Sequence, residues 1–374
     1  MAEQRFVVPS VDISPYVTDG GNTEGADAAA RGRVAAEIDD ACRTVGFVQI
    51  RGHGVPDHVI GGLADAIDGF FGLPLDVKKG YRCPPEINRG YTPPKAESLS
   101  LSLGVESATR MNDYFEAFNV GVPARTYPHL DLPETDYAEN VWPAGLDAFA
   151  DQVGAYFTEA QRVARTLTRI FADALGLPAG FFDAFTDHSL DVLRMNNYAL
   201  PADTYTGHHD LIAMGEHTDY GIVTVLWADR IAGLQVLDTR GVWQDVCPDE
   251  GALLVNLGDL TNRWTNERWL STLHRVKPPI VDGTIQRRRS AAYFHDGNID
   301  ALIATLPTCL AAGEAPRYAP ITVAEHIRAK LAGSRAGTPN ISAAREAARL
   351  AAAVEGSVWL AAAVFLSRVA SFPR

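Results

Sequence analysis

Cysteine is scarce: four residues in 374, at positions 42, 83, 247 and 309, with no CxxC pair and no zinc-finger spacing. A disulfide framework is not expected in a chain this large, and a reducing cytoplasm is. Positive charge is in deficit too. Lys and Arg number 33 against 46 Asp and Glu, a formal net charge of -13. Such a surface repels phosphate backbones, so nucleic acid is not an expected partner. The one dense basic run, Arg287 to Arg289, is too small to change that. No long apolar run is present. The stretch Gly356 to Ser367 is the most apolar, and a membrane span needs about 20 such residues. The first residues, MAEQRFVVPSVDI, lack a basic segment followed by an apolar one, so no signal peptide is expected. No internal repeat is visible.

The rest is ordinary for a globular protein: 47% hydrophobic and 21% charged residues, enough for a sizeable core. A monomer is expected. Three regions are expected: a helical and mixed region over 1–140, a core with its preceding long helix over 141–335, and an alanine-rich extension over 336–374. Phe6 to Ile13 reads as a strand, Ala26 to Val45 as a helix closed by Gly46, and Pro56 to Phe71 as a second helix. Pro and Gly between Leu73 and Pro94 suggest loops. Leu146, Phe149, Val153, Phe157, Ala160 and Val163 form one stripe of a long helix over Ala144 to Leu175. From Leu193 onward the pattern changes to short segments rich in Val, Leu, Trp and Tyr separated by turns: Leu193 to Tyr198, Ile222 to Trp227, Leu234 to Leu237, Val242 to Val246, Leu253 to Leu257 and Arg288 to Phe294. Helices first and many strands later indicate an α+β domain on an antiparallel double sheet or barrel. Ala343 to Ala370 could form a further helix.

His217-Thr218-Asp219 carries the first chemical signal. In an extended segment, residues two apart share a side. His217 and Asp219 can therefore meet one metal ion while Thr218 faces away. His274, in Ser271 to Val276, would complete two imidazoles and one carboxylate. That set leaves positions open on an octahedral ion and suits Fe(II) oxygenases. A closed zinc site more often has four protein ligands, commonly thiolates. Downstream lies Arg288-Arg289-Ser290. Strand alternation puts Arg288, Ser290, Ala292 and Phe294 on one face, where a guanidinium beside a hydroxyl can clamp a carboxylate. Arg289 should face the other way. His53, His208 and His209 are read as structural. The tryptophans 227, 243, 264 and 269 are read as packing residues.

Taken in order, these segments resemble the isopenicillin N synthase-like branch of the Fe(II)/2-oxoglutarate-dependent dioxygenases. The resemblance runs from about Val8 to Leu331. It rests on Gly46-Phe47-Val48, Gly52-His53-Gly54-Val55-Pro56, Phe70 to Pro74, Gly215 to Gly221, Gly233 to Val236, Val255 to Asp259, Trp264-Thr265-Asn266, Ser271 to Val276 and the Arg288 strand. It implies a double-stranded β-helix with flanking helices. It implies Fe(II) on His217, Asp219 and His274, and the distal carboxylate of 2-oxoglutarate on Arg288 and Ser290. Asn196 and Tyr198 match positions that hold 2-oxoglutarate in some members. This chain departs from the pattern at Arg51, where Asn is usual, and at Ala199, where many members have Pro. The implied reaction is hydroxylation, desaturation or ring closure on a small molecule, using O2 and releasing succinate and CO2. An Fe(II) oxidase of the same fold that needs no 2-oxoglutarate and a non-catalytic metal-binding relative are the alternatives. Arg110, Tyr91 and Phe115 are candidates to reach the substrate pocket.

Overall fold

The computed structural model describes residues 6–17, 26–103, 113–199, 213–278, 280–281, 284–336, 347–348 and 350–352. The chain starts with β1 (Ser10–Asp12), α1 (Ser14–Val17) and α2 (Ala26–Thr44). Gly46, at φ 71°, then turns the backbone into β2 (Phe47–Arg51). The first strand is shorter than predicted. Proline 9 has no N–H for a ladder, although its carbonyl still accepts the Gln49 N–H at 2.7 Å. Next come α3 (Asp57–Phe71), α4 (Leu75–Lys79), β3 (Gly90–Thr92) and β4 (Glu116–Gly121). The helix α4 is a single turn inside the stretch predicted as loops. The long helix α5 spans Phe149–Ala174 and begins five residues later than the predicted start at Ala144. Gly145 lies there at φ 79°, outside helical space.

Strands then dominate, as predicted. They are β5 (Val192–Tyr198), β6 (Met214–His217), β7 (Val223–Ala228), β8 (Leu234–Leu237), β9 (Trp243–Asp245) and β10 (Leu253–Leu257). After α6 (Asp259–Trp264) come β11 (His274–Val276), the small pair β12 (Ile280–Val281) and β13 (Thr284–Ile285), and β14 (Arg288–His295). A last helix, α7 (Val323–Ala336), follows. The helix suggested for Ala343 to Ala370 lies mostly outside the described residues.

Eight strands form one sheet in the order β1-β2-β10-β7-β14-β5-β4-β3, and four form a second in the order β6-β11-β8-β9. Only β1 and β2 run parallel within them. This is an α+β fold with a jelly-roll core, the double-stranded β-helix expected. The four strands before residue 141 belong to the same large sheet as those after it.

Period-two alternation sorts the large sheet's side chains between two environments. Leu193, Met195, Val225, Val255, Ala291 and Tyr293 join one core with Leu63 and Phe70 of α3 and Val163 and Leu167 of α5. Their neighbours point the other way. Phe47, Ala117, Tyr198 and Leu254 meet Leu234, Val236 and Val276 of the small sheet. The same inner face also carries Arg194, Asn196, Arg288 and Ser290, all buried. Both faces are covered, so every residue of β5 and β10 is buried.

Two glycines draw the start of α6 against the loop that follows Asp219. A Cβ on Gly258 would lie 2.1 Å from the Gly221 carbonyl oxygen and 2.6 Å from its carbon. The contact is backbone on backbone and has no flexible end to yield. It allows Gly258 N–H to reach the Ile222 carbonyl at 3.1 Å and Asp259 N–H to reach the Asp219 carbonyl at 2.9 Å. Gly258→Ala should therefore cost at least about 1–3 kcal/mol, the range for overpacking a close contact. A urea midpoint unchanged from the wild type would show that this approach is not tight.

Candidate active site

The segment ending β6 and the start of β11 are held side by side, with His274 paired to His217 across the ladder. The two imidazole centroids are 4.2 Å apart. Asp219 lies two residues past His217, just beyond the ladder. Its Oδ1 is 3.8 Å from His217 Nε2 and 3.7 Å from His274 Nε2. Among the described residues, these three form the cluster whose donor atoms all lie within 4.8 Å of one another, and all three are buried.

Each donor has its other atom committed. His217 Nδ1 is 2.7 Å from the Gly215 carbonyl, and His274 Nδ1 is 3.0 Å from the Thr272 carbonyl. A carbonyl only accepts, so both Nδ1 atoms carry the proton and both Nε2 atoms present a lone pair. Burial and the neighbouring His274 push the His217 pKa far below the usual range, which keeps that ring neutral. Asp219 Oδ2 accepts from Thr224 Oγ1 at 2.5 Å and Asn256 Nδ2 at 2.6 Å. That leaves Oδ1 facing the imidazoles. Two neutral nitrogens and one carboxylate oxygen fit one divalent ion with further positions open.

The intervening Thr218 does face away. Its hydroxyl donates to Asp259 Oδ2 at 3.2 Å and accepts from Lys330 Nζ at 3.1 Å. Lys330 and Asp259 form a buried pair at 2.6 Å. Burial alone would raise the Asp259 pKa, but Lys330 and His326 hold it well below the carboxylate range. Helix α7 is thereby tied to the loop between two of the three donors.

One cavity adjoins this cluster, with about 1010 Å³ of empty space, part of it open to solvent. Its lining includes His217, Asp219 and His274 together with Arg288, Ser290, Asn196 and Tyr198. Arg288 pairs with Tyr198 across β14 and β5, and Ser290 pairs with Asn196. The Arg288 side chain is 2% exposed, yet its Nε and Nη1 have no protein partner among the described residues. A buried guanidinium edge without acceptors is costly unless a ligand supplies them. A carboxylate matches that fork. Tyr198 stacks near it, with the guanidinium carbon 5.1 Å from the ring centroid, and its hydroxyl donates to Met214 Sδ at 3.8 Å. Burial pushes the Tyr198 pKa up, so the phenol keeps its proton.

Arg289 points to the opposite face, where it meets Asp229 at 3.2 Å and Asp68 at 2.7 Å. Tyr91 does not line the cavity. It sits in the other core and donates to Glu116 at 2.6 Å. Phe115 is buried beside Tyr198 and under the Arg194 guanidinium and is not part of the lining either. Arg110, His208 and His209 lie outside the described residues. His53 is a turn residue, its ring nitrogens bound to the Gly251 carbonyl and the Val55 N–H. Thr224 and Asn256, which orient Asp219, were not anticipated. Asn256 stands inside a matching motif, but nothing in the pattern ties it to the carboxylate.

Residues 8–145 match the family described as non-haem dioxygenase in morphine synthesis N-terminal, and residues 190–297 match the 2OG-Fe(II) oxygenase superfamily. The chain is 32% identical to a 2-oxoglutarate-Fe(II) type oxidoreductase of Emericella nidulans, over 86% of this chain and 88% of that one. It is 30% identical to clavatol oxidase of Penicillium crustosum, over 90% and 99% of the two chains. A full-length Neurospora crassa protein crystallised with alpha-KG and thymine superposes with a TM-score of 0.74 at 27% identity, covering 89% of this chain and 98% of that one. The chain belongs to the 2OG-Fe(II) oxygenase superfamily and is an Fe(II)- and 2-oxoglutarate-dependent dioxygenase.

Proposed function

We propose that His217, Asp219 and His274 hold the iron, and that Arg288 and Ser290, with Tyr198 and Asn196, receive 2-oxoglutarate. The product would be a hydroxylated, desaturated or cyclised small metabolite. The observation that carries the reading is the unpaired edge of Arg288 opening into the same cavity as the three metal donors. The names of the relatives favour a small organic substrate, a clavatol in one case, and a secondary-metabolic role. A net charge of -13 favours no nucleic-acid partner. The four free cysteines are compatible with a reducing cytoplasm. No helix among the described residues is long and apolar enough to cross a membrane.

Bound Fe(II) and 2-oxoglutarate supply the oxidising chemistry with O2, yielding succinate and CO2. The chain's own residues do the placing. Neutral imidazoles and a half-committed carboxylate offer three donors without a rearrangement. Arg288 neutralises a carboxylate where water is scarce, and Ser290 and Tyr198 add hydroxyls beside it. Leu226, Leu234, Val276 and Ala292 line the same space with apolar surface and limit the water around the reacting centre.

His217→Ala, Asp219→Ala and His274→Ala should each abolish succinate formation and lower bound iron, because each removes one of three donors. Full iron occupancy and turnover in any one variant would remove that residue from the site. Excess Zn(II) should inhibit the wild type, since it occupies N/O sites without redox chemistry.

A second test concerns the clamp. Leaving a buried charge without its partner costs about 2–5 kcal/mol. Arg288→Ala should therefore weaken 2-oxoglutarate binding by about 30- to 4000-fold. Arg288→Lys should recover part of that, since an ammonium lacks the two-pronged contact. Arg289→Ala loses surface ion pairs and should leave the affinity nearly unchanged. Anaerobic titration followed by the metal-to-ligand absorption band reads all three. An essential Arg289 with a dispensable Arg288 would reverse the assignment.

A further inference from the structure

The cavity continues past the Arg288 clamp along the same sheet face. Arg194 pairs with Ala292, four residues along β14 from Arg288. At about 3.4 Å per residue this is roughly 14 Å away. A second polar group of the cavity wall is built there, from Glu97, Arg194, Asn119, Asn88 and Arg335. Glu97 accepts from Arg194 Nη2 at 2.7 Å and from Arg335 Nε at 3.0 Å. Two guanidinium groups thus surround one carboxylate, which is a net charge of +1 and repels a cationic ligand.

The donor directions in this group are determined by the arginines. Arg335 Nη2 donates to Asn88 Oδ1 at 2.6 Å. A guanidinium only donates, so that atom of Asn88 must be the oxygen. The same oxygen is 2.7 Å from Asn119, which must therefore turn its Nδ2 toward it. Asn119 Oδ1 is left on the other side. It is buried and has no partner among the described residues, and Asn119 is 2% exposed. Its direct neighbour across β4 and β5 is Arg194. Arg194 uses Nε on Asn196 Oδ1 at 3.2 Å and Nη2 on Glu97. Its remaining N–H groups can only donate.

A partnerless acceptor therefore stands next to a donor in a cavity whose lining also includes apolar Val192, Phe294, Ile327 and Leu331, with Tyr220, Asp296 and Ser334 as further polar members. We infer that this is the primary-substrate subsite, and that it takes a largely apolar molecule through a neutral cis-amide edge: the adjacent N–H and C=O of a lactam, cyclic imide or ureide. The N–H donates to Asn119 Oδ1 and the C=O accepts from Arg194. A carboxylate would satisfy Arg194 but place its own lone pairs against Asn119 Oδ1. An ammonium would satisfy Asn119 and meet the net positive charge. The inference rests on the reading that iron and 2-oxoglutarate occupy the cavity beside it.

The test is calorimetric titration of the full-length protein loaded with Fe(II) and 2-oxoglutarate under nitrogen. The probes are 2-pyridone, glutarimide and uracil, each beside its fully N-methylated derivative, with benzoate and benzylamine as anion and cation. At least one ring amide should bind, and its methylated form should bind at least about tenfold more weakly, the effect of one lost hydrogen bond in a buried site. Asn119→Leu should abolish that preference while 2-oxoglutarate still binds. No binding by any ring amide, equal binding of the methylated forms, or a preference for benzoate or benzylamine overturns the inference. The methylation comparison is made on the wild type and does not depend on the variant folding. Failure of 2-oxoglutarate itself to bind would instead overturn the reading of the clamp.

Discussion

A carboxylate buried between two sheets must have its oxygens satisfied, and Asp219 meets that demand on one oxygen only. Thr224 of β7 and Asn256 of β10 both donate to Oδ2. Oδ1 is left between two imidazole Nε2 atoms at 3.7 and 3.8 Å. In a dry interior, that geometry leaves a negative atom facing two lone pairs, which is unfavourable without a cation. The structure around it serves this one arrangement. The neighbouring strands bring Thr224 and Asn256 to the same face. The Gly221–Gly258 approach seats the loop. The two carbonyls on the Nδ1 atoms set the tautomer of both rings.

Helix α7 enters the same constraint from the other side. Lys330, 1% exposed, reaches Asp259 and Thr218. A buried ion pair contributes little net stability, because desolvation offsets most of the attraction, but breaking one side of it costs about 3–5 kcal/mol. Its consequence here is positional. The helix that carries Ile327, Leu331 and Arg335 into the cavity is locked to the residue between two metal donors. The proposed substrate wall and the proposed metal site therefore share a single polar anchor.

Much of this was legible in the residues. Alternation put His217 with Asp219, and Arg288 with Ser290, and the chain needed only a ladder to bring them together. The segments 234–237 and 253–257 match β8 and β10 to the residue, since turns bound them sharply. Other features were hidden for physical reasons. Helix α6 is six residues long, too short for a helical period to show. Gly145 keeps the long helix from starting at Ala144 through a backbone angle, which composition does not display. Tyr91 was expected near the pocket, but it faces the opposite side of the sheet, where its hydroxyl donates a hydrogen bond to Glu116. The partners of Asp219 come from strands 5 and 37 residues further along the chain. Pairings of that kind appear only when the sheet order is known.

The inner sheet face carries two buried arginines, and their surroundings differ in a way that separates their tasks. Arg288 lies under Tyr198 with two nitrogens lacking acceptors among the described residues. Arg194 already has a carboxylate, Glu97, and shares it with Arg335. If Arg194 were the carboxylate clamp, Glu97 would compete with the ligand from within. Burial favours neutralising Glu97, yet the two arginines hold its pKa below the ordinary value, so the competing charge persists. Arg288 faces no such competitor. This contrast is why the proposed site for the dianionic co-substrate is the strand end at Arg288. The end at Arg194, where Glu97 already engages the guanidinium groups and the open acceptor is an amide oxygen, suits a neutral group under the inference above.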